Sequence, residues 1–217
     1  MSSERPARPT TVALFGAAGR TGRRVLDRLL ARGTKVRALA GDASRLPPHP
    51  SLVAIGGDAR DRTAVERTLD GASAIVACLG MRDIGRPGTE FSDAVRTIVE
   101  AAQAGRIRRI VAVASAAVLP DARGGLRGEH AGPGPYANVN AEHVRNYRTL
   151  AGSGLDWTLL CPVDLAEDIP EGRARLADES LPAGSDETGY EDLAATIVAL
   201  LDDPASCGRR VGIVSVR

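Results

Sequence analysis

The stretch that most limits what this chain can become is residues 10–24, TTVALFGAAGRTGRR. Its apolar run at 12–15 reads as a buried strand, followed by Gly16, Gly19 and Gly22 at three-residue spacing. Val25, Leu26, Leu29 and Leu30 then recur at helical period. Strand, glycine-rich turn and helix, in that order, form the context in which such glycines bind a dinucleotide. Gly16 permits a sharp turn, Gly19 lets main chain approach a pyrophosphate, and Gly22 lets the helix pack closely against the strand. The free amides and positive dipole end of that helix would face the anion.

Beyond this unit the pattern alternates. Residues 35–40, 52–55, 74–79, 110–114, 156–161 and 210–216 read as strands, and 74–79 is an unbroken apolar run of the kind buried on both faces. Helices are expected at 61–69, with Asp61 as cap, at 89–104, at 135–150, and from Tyr190 or Glu191 to about Leu201. A short helix at 42–46 is stopped by Pro47 and Pro48. Residues 163–190 are irregular and acidic, with one strand near 173–177. The expected fold is α/β: a Rossmann-type, doubly wound, mostly parallel sheet in one domain over 10–217, behind a flexible tail at 1–9. Ligands of such a sheet sit at the carboxyl ends of its strands. The loops at 80–88, 116–135 and 162–190 are therefore the substrate loops, and the glycine- and proline-rich 119–135 segment reads as a mobile lid.

Composition removes several classes of function. The net charge of +1 does not suggest a nucleic-acid or membrane partner, and no apolar stretch approaches the roughly 20 residues of a membrane span. The opening MSSERPARPT lacks the apolar core of a secretory signal. The odd set Cys78, Cys161 and Cys207, without short spacing, suits a reducing cytoplasm better than a disulfide framework. With three histidines and no Cys/His cluster, no metal is expected.

GAAGRTG, GDARD after the third strand, LGMRD after the fourth, VASAAVLPD after the fifth and SGLDWTLLCPVDL around the sixth resemble the atypical short-chain dehydrogenase/reductases. Within these, the chain is similar to the NAD(P)H-binding, NmrA-like proteins and the biliverdin reductase B (flavin reductase) group. GDASRLP and EHVRNYRTL are especially like the latter, and the likeness spans roughly residues 10–205. The resemblance implies a Rossmann domain, NADPH as cofactor, and hydride transfer to a flat organic acceptor. The cofactor contacts expected are Gly16, Ala18, Gly19, Arg20, Thr21 and Gly22, then Arg45, then Asp58 and Ala59, then Leu79 and Gly80, then Ser115, and Cys161 with Pro162. Asp58 resembles the residue that bonds the adenine amino group, with loop capping as its alternative.

NADP(H) is expected ahead of NAD(H). Asp42 lies just past the second strand, where capping the 42–46 turn is the simpler use than gripping a ribose. The relatives' phosphate-binding arginine is replaced here by Gly41, leaving Arg20 and Arg45 as guanidinium substitutes, or as solvated surface arginines.

The resemblance also places Ser115 after the fifth strand and Tyr136 at the start of the next helix. In the wider superfamily that tyrosine donates a proton as hydride arrives, activated by a lysine one turn on. Asn140 occupies the lysine position, and an amide carries no charge with which to activate a phenol. Tyr136 therefore acts through a water or His130, or it merely packs while the acceptor takes its proton from solvent. His143 aligns with a family histidine and is either a support for the nicotinamide or a surface residue; Asp164 replaces a second family histidine. Cys161 and Trp157 read as core. Met81, Leu119, His130, Asp164 and residues 163–170 are expected to border the substrate.

The leading expectation is an NADPH-dependent reductase of a small cyclic or conjugated carbonyl or flavin-like substrate. The alternatives are a non-catalytic NADP(H) sensor of the NmrA-like kind and an epimerase or dehydratase that retains its cofactor. A monomer or small homo-oligomer is expected.

Overall fold

A computed structural model describes residues 9–81 and 83–217; the expected tail, apart from residue 9, lies outside the described residues. The dinucleotide-binding half begins with β1 (Thr11–Phe15), α1 (Arg20–Ala31), β2 (Lys35–Ala40), β3 (Leu52–Gly56), α2 (Arg62–Leu69) and β4 (Ala74–Ala77). It continues through α3 (Glu90–Ala104), β5 (Arg109–Val113), α4 (Ala137–Ala151) and β6 (Asp156–Pro162). The C-terminal part holds β7 (Asp164–Ala166), β8 (Ala174–Asp178), β9 (Glu187–Gly189), α5 (Tyr190–Leu201) and β10 (Arg209–Ser215). The main sheet runs β3-β2-β1-β4-β5-β6-β10-β8. Every neighbour pair in it is parallel except β10 with β8. Strand order reverses between β1 and β4, and in such sheets ligands lie at the carboxyl ends beside that reversal.

Successive residues of a strand point to opposite faces, so β1 serves two cores. Phe15 packs with Ile75, Phe91, Ile98 and Leu150 under α2, α3 and α4. Leu14 packs with Val25, Leu26, Leu29, Leu193 and Ile197 under α1 and α5. Asp61 caps α2 by accepting from the Thr63 amide, as its position predicts. Among the described residues no helix is long and apolar enough to cross a membrane.

Three expectations need correction. The 74–79 strand ends at Ala77; the Cys78 amide still reaches the Phe15 carbonyl at 2.9 Å, and the Cys78 carbonyl lies against the turn at Gly16. Residues 163–190 contain a second, parallel sheet of β7 and β9 besides β8; three-residue strands leave no periodicity to read. The 119–135 segment is pinned over its first half rather than free. Pro120 bridges Leu126, the Glu129 carboxylate takes the Leu126 amide and pairs with Arg148, and Leu126 is buried.

Candidate active site

The glycine loop shows what each glycine is for. Gly16 has φ +80°, and a Cβ there would lie 2.3 Å from the Cys78 carbonyl oxygen. A Cβ on Gly22 would lie 2.1 Å from the Gly16 carbonyl oxygen. The close approach Gly22 permits is therefore between helix and loop, not helix and strand. Gly19 has ordinary backbone angles and is the N-cap of α1; its amide donates to the Gly16 carbonyl at 3.0 Å. No side chain caps the helix, and the first intrahelical bond is from the Arg23 amide to Gly19. The amides of Arg20, Thr21 and Gly22 thus have no acceptor within the helix beside Ala18, an arrangement suited to an anion.

On the β2 side, Asp42 accepts from the Ser44 amide at 3.0 Å and hydroxyl at 2.6 Å, so the capping use holds. Arg45 is exposed, and its carbonyl takes Nη2 of Arg23 at 2.8 Å. Arg20 turns the other way. Its guanidinium lies 4.9 Å from the centre of the Tyr190 ring and 3.9 Å from Glu167, with Arg24 over the same ring at 5.1 Å. Arg20 and Arg24 are one turn apart and share the face toward α5, whereas Arg23 is offset toward β2. Of the two arginines offered as phosphate-binding substitutes, Arg45 stays exposed past β2 while Arg20 faces Tyr190; Arg23, which the sequence reading passed over, is the guanidinium beside Arg45. Asp58 accepts from the Arg60 amide at 2.8 Å and pairs with its guanidinium at 2.6 Å, the loop-capping arrangement, with Ala59 packed on the core behind it.

On the β4–β6 side, Leu79, Gly80 and Met81 follow β4, and Leu79 and Met81 lean on the core. Ser115 lies two residues past β5 and caps a short turn at 116–118, its hydroxyl taking the Ala117 amide at 3.2 Å. Tyr136 is the N-cap of α4 and is 53% exposed. The half-buried Asn140 lies one turn on, its amide bonded to the Tyr136 carbonyl. Asn138 ties this end of α4 to the 80–88 loop through the Ile84 carbonyl at 3.2 Å. His130 does not reach toward Tyr136 but bonds back to the Gly124 carbonyl at 2.7 Å. Pro162 is buried at the end of β6 and Asp164 is exposed at the start of β7. Cys161 is fully buried, and burial pushes its thiol up, as a core residue requires. Leu119 is also fully buried. The 116–118 turn folds it into the core, held by Arg210 on the Val118 carbonyl at 2.9 Å, so it cannot border a substrate in this conformation.

His143 is not a surface residue. It packs edge-on against Phe91, ring centres 5.2 Å apart, and burial lowers its pKa to about 4 against the opposing pull of Glu142. It borders a small, partly open cavity of about 10 Å³ shared with Leu79, Phe91, Ala114, Asn146 and Tyr147, beneath the ends of β4 and β5. A neutral imidazole thus forms part of the site's floor, two turns below Tyr136.

The sequence reading missed several further groups. Glu142 is 1% exposed and accepts from the Ser92 amide and hydroxyl, both at 2.8 Å, and from Arg145 at 2.6 Å. It thereby caps the first turn of α3 from a neighbouring helix. Asp192, buried in the first turn of α5, holds the Gly172 amide and the Ser215 hydroxyl, each at 2.7 Å. Arg24 and Arg28 bridge Glu167, Glu171 and Glu191, fastening the segment after β7 to α1. An acidic residue at a buried helical position was the signal for Glu142; the others depend on contacts between distant segments. Among the described residues no cluster of three His, Cys, Asp or Glu could hold a metal.

Known proteins agree with this architecture. An oxidoreductase from Lactococcus lactis superposes with a TM-score of 0.78 at 20% identity, over 95% of this chain and 91% of that one. A wide-type short-chain dehydrogenase/reductase from Veillonella parvula, in complex with NADP, gives 0.75 at 19% identity, over 94% of each chain. An uncharacterized chloroplastic protein of Arabidopsis thaliana is 26% identical over 227 residues, covering 94% of this chain and 76% of its own length. At these identities the solved structures share the fold, which is that of NAD(P)-binding oxidoreductases and their kin. The sequence itself matches the NAD(P)H-binding family over residues 16–204, most of its length, and this chain belongs to that family.

Proposed function

We propose that the protein is an NADPH-dependent reductase that passes hydride to a small cyclic or conjugated carbonyl or a flavin-like acceptor in the cytoplasm. The observation that carries this reading is the uncapped start of α1, where Gly16 and Gly22 let the loop close on the Cys78 carbonyl and on the helix more tightly than any Cβ would allow. The amides of Arg20, Thr21 and Gly22 would hold the pyrophosphate. Arg23 and Arg45 flank the end of β2, where a 2′-phosphate is read, and Asp42 is occupied by Ser44. The nicotinamide would lie over Leu79, Gly80 and Ser115, supplying hydride when bound.

The same groups define what the chain itself does in the reaction. Ser115 and the 80–88 loop orient the ring and the acceptor, and the buried floor of Phe91 and His143 excludes water from beneath. Burial keeps His143 neutral near pH 7, so it neither donates a proton readily nor sets a competing charge. Tyr136 is half in solvent and has an amide, not a lysine, one turn on. We therefore assign proton delivery to solvent, in the manner of the flavin reductases, with Tyr136 bordering the acceptor.

The test is NADPH oxidation against a panel of flavins, quinones and cyclic ketones, run beside Tyr136→Phe. Turnover kept in the variant supports delivery without a protein acid. Turnover lost makes Tyr136 the acid. NADPH bound tightly with no turnover against any acceptor moves the reading to a sensor.

A further inference from the structure

The cavity bordered by His143 has a second polar wall, Asn146, which follows it on α4. Asn146 is 5% exposed and His143 8%. Among the described residues, Oδ1 and Nδ2 of Asn146 and Nδ1 of His143 have no hydrogen-bond partner. Buried polar atoms are nearly always bonded, because an unpaired one has given up water and gained nothing in return. Here three such atoms, on two side chains, border the same hollow. A few unpaired polar atoms in an otherwise apolar hollow are what a ligand site presents.

The neighbours do not satisfy these atoms. Phe91 packs at right angles to the imidazole, and Leu79, Ala114 and Leu150 are apolar. Glu142, next to His143 in the chain, is taken by Ser92 and Arg145.

The chemistry of the walls narrows the occupant. Burial keeps the imidazole neutral, and among the described residues no charged side chain lines the cavity, so an ion would go unpaired there. The Asn146 amide both gives and takes hydrogen bonds, and a neutral imidazole Nδ1 does one or the other. A ketone oxygen only accepts and leaves every acceptor in the cavity unpaired. A hydroxyl takes a bond from one wall and gives its proton to the other. The volume of about 10 Å³ suits a single oxygen, the tip of a group and not a ring. Leu79 and Ala114 immediately precede Gly80 and Ser115, over which the nicotinamide is placed above, so the cavity adjoins that shelf.

We propose that Asn146 and His143 form a hydroxyl-binding subsite of the acceptor pocket, which selects ring compounds that carry an alcohol or phenol group. The word acceptor rests on the reductase reading; the subsite itself rests on the unpaired atoms and the cavity. Asn146 is then a specificity-determining residue, and the hydroxyl oxygen lies between its amide and Nδ1 of His143.

The test is an NMR titration of the ¹⁵N-labelled full chain with benzyl alcohol, acetophenone and toluene, following the Nδ1 resonance of His143. That resonance is assigned by its absence from His143→Phe. Benzyl alcohol should shift it saturably and bind about tenfold more tightly than toluene or acetophenone, the worth of about one hydrogen bond. Asn146→Leu keeps the bulk of the side chain and removes both polar atoms. The preference should vanish in it with no loss of Tm, since no bonded partner is given up. Benzyl alcohol that leaves the resonance unmoved, or that binds no better than the other two, overturns the proposal and leaves the cavity to water. So does a preference that persists in Asn146→Leu. The titration needs neither cofactor nor turnover, so its failure leaves the NADPH reading standing, and a protein that bound no NADPH would still answer it.

Discussion

Replacing Gly22 with alanine separates the two demands on the glycine loop. The new Cβ would stand 2.1 Å from the Gly16 carbonyl oxygen and 2.8 Å from its carbon. Both atoms are main chain, so about 1 Å of movement must come from the loop or from the whole first turn of α1. Overpacking of this kind costs about 1–3 kcal/mol. Alanine gains back up to about 1 kcal/mol of helix propensity. The balance is about 0–2 kcal/mol of lost stability, which lowers Tm by up to about 8 °C in a chain of this size. The same movement swings the amides of Arg20 and Thr21 off the pyrophosphate, and NADPH affinity should fall at least about tenfold. Gly19→Ala is the control. Its Cβ meets only the Gly16 carbonyl oxygen, at 3.3 Å, so Tm should change little. The methyl would still project where the cofactor's phosphates come closest, and affinity should fall as far. Differential scanning calorimetry and NADPH titration by fluorescence decide it. A Gly22→Ala protein with wild-type Tm and affinity would refute the reasoning.

Arg23→Ala and Arg45→Ala should each weaken NADPH binding about 10- to 100-fold, the worth of a charge-assisted bond, while leaving NADH binding unchanged; equal losses for both cofactors would remove the 2′-phosphate from this corner. His143 is held neutral in the fold, with a pKa lowered from 6.5 to about 4, so the unfolded chain binds the proton first. The stability it contributes is present above pH 6.5 and is lost as pH falls toward 4, by about 3 kcal/mol at 1.36 kcal/mol per pKa unit. Denaturation curves of His143→Phe, compared with wild type across that window, should lack this share of the decline. Glu142→Leu should lower stability by about 2–4 kcal/mol, because the Ser92 amide and Arg145 lose a buried partner; a change under 1 kcal/mol by urea denaturation would deny Glu142 its capping role.

The parts of the site made from local sequence were legible. The first βαβ unit, the Asp42 and Asp61 caps and the Tyr190 start of α5 each follow from residues within a few positions of one another. The parallel order followed from alternation, since parallel strands need crossovers. What escaped depends on contacts between distant segments. Arg20 has the right charge for a phosphate, but Tyr190 and Glu167, far along the chain, decide which way it points. Leu119 follows a strand as a substrate residue does, yet a backfolding turn held by Arg210 puts it in the core. The apparent looseness of the glycine-rich 119–135 segment was compositional only, because Glu129 and Leu126 hold it down.

The bridging of Arg24 and Arg28 to Glu167, Glu171 and Glu191 has a mechanical meaning. The segment after β7 is not anchored to the sheet alone; it is fastened to the helix that follows the glycine loop. A displacement of that helix along its axis would therefore pull directly on the 167–171 segment and on the first turn of α5.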